Sequence, residues 1–272
     1  MNEKFDLKTL AADWNTMLVD LLEKKKVHPI TAYQPTRKYL KRRMQKKLLK
    51  LNIAAGPNVF PYDWINIDNT DFSSYFNFIQ TVPHSNGMPE HQKKLWQFCQ
   101  DGGTIEYQQH NMTEPFTQFA DNSVDLIYVG QAIEHINPVF QAPAFLKEVH
   151  RMLKPGGVVR LTTPDMNILI KAYMEKKMDQ FNDDQPEFYK NADPGMQLAL
   201  LMFGTGGEDC TQSHYEGHMC CYTEFSLKNV LKAAGFDKAI AFLRPGVSLN
   251  DVMAEECRDE GVSHSLICEA VK

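Results

Sequence analysis

A turn and a carboxylate come together early in the chain, in the stretch LNIAAGPNVFPYDWINID at residues 51–68. A buried strand is predicted to end in a turn around Gly56, and a second strand is predicted to end at Asp68. Such a turn lets the backbone approach a ligand closely, and a carboxylate at a strand end can accept hydrogen bonds from both hydroxyls of a ribose. The pattern therefore predicts a site for a nucleoside-type cofactor.

The glycine fingerprint of dinucleotide-binding proteins, G-x-G-x-x-G, is largely missing from this stretch. Ala54 stands at its first position, Gly56 at its second, and Pro57-Asn58 follows. Asp68 comes twelve residues after Gly56, whereas the acidic residue of a dinucleotide site lies about 20 positions on. These differences disfavour NAD and leave a nucleoside cofactor that has no pyrophosphate. The short gap also predicts that the first crossover is a single turn or a very short helix, because a full crossover needs about a dozen residues or more.

Hydrophobic patterns predict the strands and helices that must position this site. The strands are expected at 48–54, 64–68, 104–109, 124–130, 158–163, 236–243 and 265–271. The helices are expected at 5–26, 89–100, 140–153, 166–178, 195–203 and between Thr223, as N-cap, and the helix-ending Gly235. Pro155-Gly156-Gly157 is expected to stop the helix at 140–153. The alternation predicts an α/β fold with a doubly wound, mostly parallel, Rossmann-like seven-stranded sheet that binds ligands at the carboxyl ends of its strands.

The chain is expected to have three regions. Residues 1–46 form an N-terminal helical extension, residues 47–165 and 219–272 form the Rossmann-like core, and residues 166–218 form a lid or substrate-binding insertion. An excursion of that length between sheet elements is more often functional than a plain connection. The basic run RKYLKRRMQKKLLK at 37–50 fits a solvated amphipathic helix, with a contact to an acidic substrate, nucleic acid or a membrane surface as the alternative.

Composition limits the class of protein. The chain has 272 residues, of which 43% are hydrophobic and 23% charged, as in ordinary globular proteins. Its net charge of −5 disfavours nucleic acid as a partner, and no apolar run approaches the roughly 20 residues that span a bilayer. The start of the chain lacks a secretion signal, so a cytoplasmic location without membrane attachment is predicted. The six cysteines are expected to be thiols, and the oligomeric state is left open.

Four segments in succession carry a resemblance to a known family. LNIAAGPN, WINID, DNSVDLIYVGQAIEHI and FLKEVHRMLKPGGVVRLTTPD resemble the class I S-adenosylmethionine-dependent methyltransferases, whose motifs run L-N-I-G-C-G, W-I-N-V-D, D-x-I-x-x-x-x-x-L-E-H and L-K-P-G-G. The later GHMCCYTEFSLKNVLKAAGF is similar to the final helix region of that family. The likeness covers about 48–165 and 217–243, and the order and spacing of the motifs make it specific.

The resemblance implies S-adenosylmethionine as methyl donor and a small-molecule acceptor, and it assigns positions to the cofactor. The turn at Ala54, Ala55 and Gly56, with Asn58 after it, would lie under the methionine part, and Asp68 would hold the ribose hydroxyls. Further positions are implied along the adenine and beside the sulfonium: Asn111, Met112, Gly130 and Gln131.

Three positions depart from the family pattern. Asn52 stands where many members carry an acid, Ala54 replaces a glycine and Asn111 replaces an aspartate. Alanine keeps such a turn if its φ angle stays negative, and an asparagine amide oxygen is a weaker acceptor than a carboxylate. We expect these departures to affect affinity for the cofactor rather than its identity. The alternative for Asp68 is a turn residue that caps the next segment.

Methyl transfer needs alignment, exclusion of water and, for a hydroxyl acceptor, a general base. The resemblance makes His135 the best-placed base, with a packing or capping histidine as the alternative. His150 lies on the helix that precedes the fifth strand and is expected to be structural or solvated.

The segment CTQSHYEGHMCC at 210–221 is rich in cysteine and histidine. On a helix, His214 and His218 would share a face as zinc ligands can, but Gly217 and the preceding GTGG favour a loop. We therefore predict no metal and expect His214, Glu216 or His218 to contact the acceptor, with a plain lid loop as the alternative.

The function predicted from the sequence is methyl transfer from S-adenosylmethionine to oxygen or nitrogen of a small molecule. The altered Asn52, Ala54 and Asn111 positions motivate the alternative of a ligand- or partner-binding relative without catalysis. Another transfer from the same cofactor, such as its aminopropyl group, is the remaining alternative.

Overall fold

The computed structural model describes residues 48–56, 58–71, 90–182, 187–203, 217–257 and 264–272. The expected helix at 5–26, most of the basic run, His214 and Glu216 lie outside the described residues. The chain divides into two compact units, Met1–Leu49 and Lys50–Lys272. The second unit contains the sheet and the candidate site.

The described part of the second unit is built on one seven-stranded sheet in the order β3-β2-β1-β4-β5-β7-β6. Strands β1 to β5 pair in parallel, and β7 pairs antiparallel with both β5 and β6. The prediction of a mostly parallel, doubly wound sheet is thereby confirmed. The strands are β1 Lys50–Ile53, β2 Trp64–Asp68, β3 Glu106–Gln109, β4 Val124–Gly130, β5 Leu153–Pro164, β6 Ala239–Leu243 and β7 Ser265–Val271.

Helices connect these strands close to the places predicted from the sequence. The described helices are α1 Glu90–Gln100, α2 Gln141–Met152, α3 Met166–Met174, α4 Glu187–Lys190, α5 Pro194–Phe203, α6 Glu224–Ala233 and α7 Asp251–Glu256. Short 3-10 helices lie at Ile133–His135 and Met178–Phe181. Within these ranges every helix is too short or too polar to traverse a lipid bilayer.

The core lies where α2 covers the centre of the sheet. Strand β4 is buried along most of its length, and the apolar side chains of α2 recur at helical spacing and are fully or almost fully buried. The side chains that α2 contributes are Ala142, Phe145, Leu146, Val149 and Met152. The central strand β4 is therefore held rigidly, which fixes the residues that follow its carboxyl end.

The ends of α6 follow the local rules that predicted them. The Thr223 hydroxyl accepts from the Ser226 amide, and the Ser226 hydroxyl accepts from the Thr223 amide, which completes a capping box. Gly235 follows the helix with a φ of +107°, a conformation that glycine adopts without strain.

The segment Pro155-Gly156-Gly157 does not itself stop the preceding helix. Helix α2 ends at Met152, and β5 already begins at Leu153, so the proline and glycines belong to the first part of the strand. The register of β4 against β5 shifts between Val124 and Leu126, which accommodates this irregular start.

Helices α3, α4 and α5 pack around a small core of their own. Their buried side chains, with those of the second 3-10 helix, are Leu169, Ala172, Met178, Phe181, Tyr189 and Leu201. Asp165 caps α3 by accepting from the Asn167 amide at 2.8 Å, directly after β5 ends. This helical group therefore departs from the carboxyl edge of the sheet.

Candidate functional site

The sheet register brings the predicted cofactor residues to one edge. Ile53 of β1 lies beside Ile67 of β2 and Val129 of β4, and all three strands run parallel. The residues that follow them, Ala54, Asp68 and Gly130, therefore stand at the same carboxyl edge, where α/β sheets bind ligands.

Asp68 connects the turn after β1 to the end of β2. Its Oδ2 accepts a hydrogen bond from the Gly56 amide at 2.8 Å, and its Oδ1 accepts one from the Thr70 amide at 2.9 Å. The second bond is the turn-capping role expected as the alternative for Asp68. An ionised carboxylate has about four lone-pair sites, so two remain for hydroxyl donors of a ribose.

The condition stated for Ala54, a negative φ angle, is not met. Its φ angle is +55°. Ala54 therefore adopts a left-handed conformation, at a cost of about 1–2 kcal/mol for a residue with a Cβ. Gly56 has a φ of +52°, and a Cβ added to it would meet no atom within 4 Å. Gly56 is therefore required by its backbone conformation, and it borders open space.

The connection from β1 to β2 contains turns and bends, with no helix at its described positions, 54–56 and 58–63. Ala55 donates to the Ile67 carbonyl at 3.0 Å, and the Asn58 amide donates to the Ala55 carbonyl at 2.8 Å. These bonds hold the turn against β2. The prediction of a very short crossover is confirmed.

The buried side-chain amides of Asn52 and Asn66 bond to each other and to the backbone of the β1–β2 connection. Asn52 Nδ2 donates to Asn66 Oδ1 at 2.9 Å and to the Asn58 carbonyl at 3.0 Å. Asn66 is fully buried, and its Oδ1 also accepts from the Phe60 amide at 2.7 Å. Sequence analysis missed Asn66, although an asparagine in the middle of the apolar strand WINID is a sign of a buried polar network.

A pocket that is partly open to solvent lies between the carboxyl ends of β1 and β4. A Cβ at Gly130 would stand 2.6 Å from the Tyr128 ring, so only glycine fits beside that side chain. The lining residues are Asn52, Ala54, Ala55, Asn58, Phe60, Tyr128 and Gly130.

The residues present at this edge fit a nucleoside cofactor. A carboxylate with acceptor capacity stands next to a turn whose backbone borders open space, and the pocket continues to the end of β4. The turn lacks the glycines that would cradle a pyrophosphate.

Five predicted cofactor residues are not among those that line this pocket: Gly56, Asp68, Asn111, Met112 and Gln131. Asn111 Oδ1 accepts from the amide and the hydroxyl of Thr113, each at 2.9 Å, and Met112 follows in the same turn. Gln131 has a φ of +49°, and its Nε2 donates to Ser265 Oγ at 2.9 Å. The Gln131 side chain thus joins the end of β4 to the start of β7.

A second group of polar side chains lies just beyond β4. Glu134 and His135 belong to the 3-10 helix that follows the strand, and His218 reaches them from the segment before α6. The rings of His135 and His218 meet edge to face with centroids 4.7 Å apart. The Met219 amide donates to the Glu134 carbonyl at 2.7 Å, which fixes the two segments against each other.

Burial sets the charge of His218. Its Nδ1 lies 3.1 Å from the Met202 carbonyl, and since a carbonyl only accepts, Nδ1 carries the proton. Desolvation, with a smaller contribution from His135, lowers the pKa of His218 to about 4. The imidazole is therefore neutral at neutral pH, with the lone pair on Nε2.

Glu134 is fully buried, and neither carboxyl oxygen has a hydrogen-bond partner among the described residues. Burial raises the pKa of Glu134 to about 7; its own backbone amide and the Thr163 hydroxyl, which lie near the carboxyl group without completing a hydrogen bond, oppose the rise only in part. Glu134 was not among the residues predicted for the site. The signal was its position beside His135, directly after a central strand.

His150 lies away from both groups, as expected from its position on α2. Its ring packs edge to face on Phe236, with centroids 5.0 Å apart. The structural interpretation of His150 is confirmed.

Comparison with known proteins shows which family part of this chain is similar to. A family model described as a methyltransferase domain matches residues 74–161, about a third of the chain. None of the curated proteins compared with this chain matches it significantly.

Several solved structures are similar at low sequence identity. An S-adenosylmethionine-dependent methyltransferase from Methanosarcina mazei is 16% identical, with 85% of this chain and 96% of that chain covered and a TM-score of 0.48. One from Archaeoglobus fulgidus is 14% identical, with 93% and 99% covered and a TM-score of 0.41. One from Mesorhizobium loti is 14% identical, with 86% and 97% covered and a TM-score of 0.42.

Proposed function

We propose that this chain, a class I S-adenosylmethionine-dependent methyltransferase, transfers the methyl group to an oxygen or nitrogen of a small-molecule acceptor. The observation that carries the assignment of the cofactor site is the hydrogen bond from the Gly56 amide to Asp68, beside the pocket at the carboxyl edge. It joins the turn and the carboxylate that such a cofactor needs.

The cofactor contributes an electrophilic methyl group on a sulfonium, and the chain contributes binding and orientation. Asp68 would accept hydrogen bonds from the ribose hydroxyls, and the turn at Ala54, Ala55 and Gly56, with Asn58, would lie against the methionine part. The positions proposed from the family likeness for the adenine and the sulfonium are Asn111, Met112, Gly130 and Gln131.

The acceptor side lies beyond β4, at His135 and His218, and His214 is proposed to contribute from the neighbouring segment. As the new bond to the methyl carbon forms, the carbon–sulfur bond breaks and the acceptor loses its proton. A histidine with a pKa of about 4 is a weak base, which favours His135 over His218 as the proton acceptor. His218 then orients the ring of His135, which it contacts edge to face.

Residues 166–218 are proposed as the lid that covers the acceptor. Helices α3, α4 and α5 have a hydrophobic core separate from the sheet, which suits a unit that changes with the substrate while the core is retained. Excluding water from the transfer is the physical purpose of such a cover.

Two measurements test the function. Calorimetric titration of the full chain with S-adenosylmethionine and with S-adenosylhomocysteine should give one site for each. A panel of hydroxyl, phenol, amine and carboxylate acceptors should then show production of S-adenosylhomocysteine with at least one class. Failure to bind either cofactor form would refute the proposal.

A further inference from the structure

We infer that Glu134, His135 and His218 form a binding site for one first-row divalent transition-metal ion, such as Zn²⁺. Placing this ion on the acceptor side rests on the proposed function, whereas the binding of the ion itself does not. The inference goes against the sequence expectation that the protein holds no metal.

The three side chains already stand close enough for one ion. Each offers one ligand atom, and these atoms all lie within 4.8 Å of one another. Ligands at about 2.1 Å from a tetrahedral Zn²⁺ are about 3.4 Å apart, so side-chain shifts of about 1 Å complete the geometry. No rearrangement of the backbone is needed.

The hydrogen bond of His218 to a backbone carbonyl is of the kind that metal-binding histidines commonly make. Its Nδ1–H donates to the Met202 carbonyl at 3.1 Å, which fixes the tautomer and leaves the Nε2 lone pair for a ligand bond. Metal-binding histidines commonly hold their second ring nitrogen in this way, on a backbone carbonyl or a carboxylate.

Glu134 provides a second, independent observation that points to a bound cation. Its carboxyl group is fully buried, and neither oxygen has a hydrogen-bond partner among the residues that the structure describes. A buried carboxyl group without partners is costly, and a cation at the centre of the cluster would compensate it. The Glu134 backbone carbonyl accepts from the amides of Met219 and Cys220, at 2.7 and 3.3 Å, which fixes the position of its Cα beside the segment that carries His218.

The ligand set indicates the class of metal. Two imidazoles and one carboxylate suit first-row divalent ions such as Zn²⁺, whereas Mg²⁺ and Ca²⁺ prefer oxygen ligands throughout. Three protein ligands leave at least one coordination position for water or for the acceptor. A ligand bond uses the imidazole lone pair, so His135 serves as proton acceptor only in the metal-free chain.

The neighbouring cysteines are poorer ligands than these three residues. Among the described residues, the ligand atoms that lie within 4.8 Å of one another include no cysteine sulfur. Cys221 Sγ also donates to the Pro164 carbonyl at 3.5 Å.

The test uses the full chain after a chelator has removed bound metal. Zn²⁺ is titrated against a chromophoric chelator, and Co²⁺ is followed by its visible absorption. We expect one ion per chain. Glu134→Gln and His218→Gln should each weaken binding by more than the 10- to 100-fold that loss of an outer partner of a metal ligand typically costs. His150→Gln, a histidine outside the cluster, is the matched control and should bind as the wild type does.

Two results would overturn the inference. One is no stoichiometric binding by the wild-type protein, and the other is binding that survives the cluster variants but is lost in Cys210→Ser/His214→Gln. If a variant fails to fold, the Co²⁺ spectrum of the wild type decides: nitrogen and oxygen ligands give no thiolate charge-transfer band, and such a band would contradict the assigned ligands. Titration of the metal-free protein with S-adenosylmethionine is run separately, so failure of cofactor binding refutes the proposed function and leaves the metal site standing.

Discussion

The Gly56 amide donates a hydrogen bond of 2.8 Å to Oδ2 of Asp68, so the first two strands of the sheet are joined at their carboxyl ends by the residues predicted to hold the cofactor. The bond uses one oxygen of the carboxylate, and the Thr70 amide uses the other. The side chain is therefore held in place before any ligand arrives, which lowers the entropy lost on binding.

Replacing Asp68 should weaken cofactor binding. Hydrogen bonds to a charged group contribute about 1.5–3 kcal/mol each, so Asp68→Ala should lower the affinity for S-adenosylmethionine by about 10- to 100-fold or more. Asp68→Asn should lower it less, because the amide oxygen still accepts from one amide of the turn. Calorimetric titration measures both. Asp71→Asn, on the exposed loop three residues further on, is the control, and an equal loss there would contradict the assignment.

Ala54→Gly should stabilise the protein. The substitution removes the strain of a φ of +55° at a residue with a Cβ, about 1–2 kcal/mol, and adds the backbone entropy of a glycine, so the net gain in the free energy of unfolding should be up to about 1 kcal/mol. Urea unfolding measures it. Ala55→Gly is the comparison: Ala55 is buried and does not have a positive φ, so glycine there should destabilise by about 1 kcal/mol. If Ala54→Gly and Ala55→Gly both lower the free energy of unfolding, Ala54 is not strained.

Replacing Asn52 with the acid found at this position in the family motif should destabilise the protein. In Asn52→Asp the new carboxylate would face two acceptors, Oδ1 of Asn66 and the Asn58 carbonyl, and would lose both bonds that the amide donates. Asn66 cannot turn its amide to compensate, because its Oδ1 also accepts from Phe60. We expect a loss of about 1–3 kcal/mol in the free energy of unfolding, by urea unfolding. Asn122→Asp, in an exposed turn, should change it by less than about 0.5 kcal/mol.

His150 should make stability depend on pH in the mildly acidic range. Burial lowers the pKa of His150 below its ordinary value of 6.5, so the unfolded chain binds this proton more readily. The contribution is present in full above the unfolded pKa and is lost as the pH falls through the folded one. His150→Gln should therefore flatten the fall in the free energy of unfolding below about pH 6.5. An unchanged slope, measured by urea unfolding across a pH series, would show that other groups cause it.

Local sequence patterns were enough to predict the strands of the sheet and the capping residues of helix α6. Alternating apolar runs placed the strands, and Thr223 and Gly235 marked the two ends of α6 because capping chemistry depends only on residues a few positions apart. The short first crossover followed from the number of residues between Ile53 and Trp64, which is a matter of chain length alone.

What the sequence could not predict depends on contacts between distant segments. The left-handed backbone of Ala54 is imposed by the hydrogen bonds that hold the turn on β2, and no propensity of alanine indicates it. Glu134 and His218 are far apart in the sequence and meet only because the segment before α6 crosses the end of β4. The grouping of two histidines with a buried carboxyl group was therefore visible only in the fold.

The position of β7 bears on the order in which the molecule can be completed. It is the last of the seven strands along the chain, yet it lies between β5 and β6 and pairs with both. A ribosome therefore releases β6 before its neighbour exists, and that edge of the sheet stays open until β7 has emerged. Ser265, which accepts a hydrogen bond from the Gln131 side chain, is the first residue of β7 and is therefore also synthesised after β6. The end of β4 thus acquires this support only after β6 has been made.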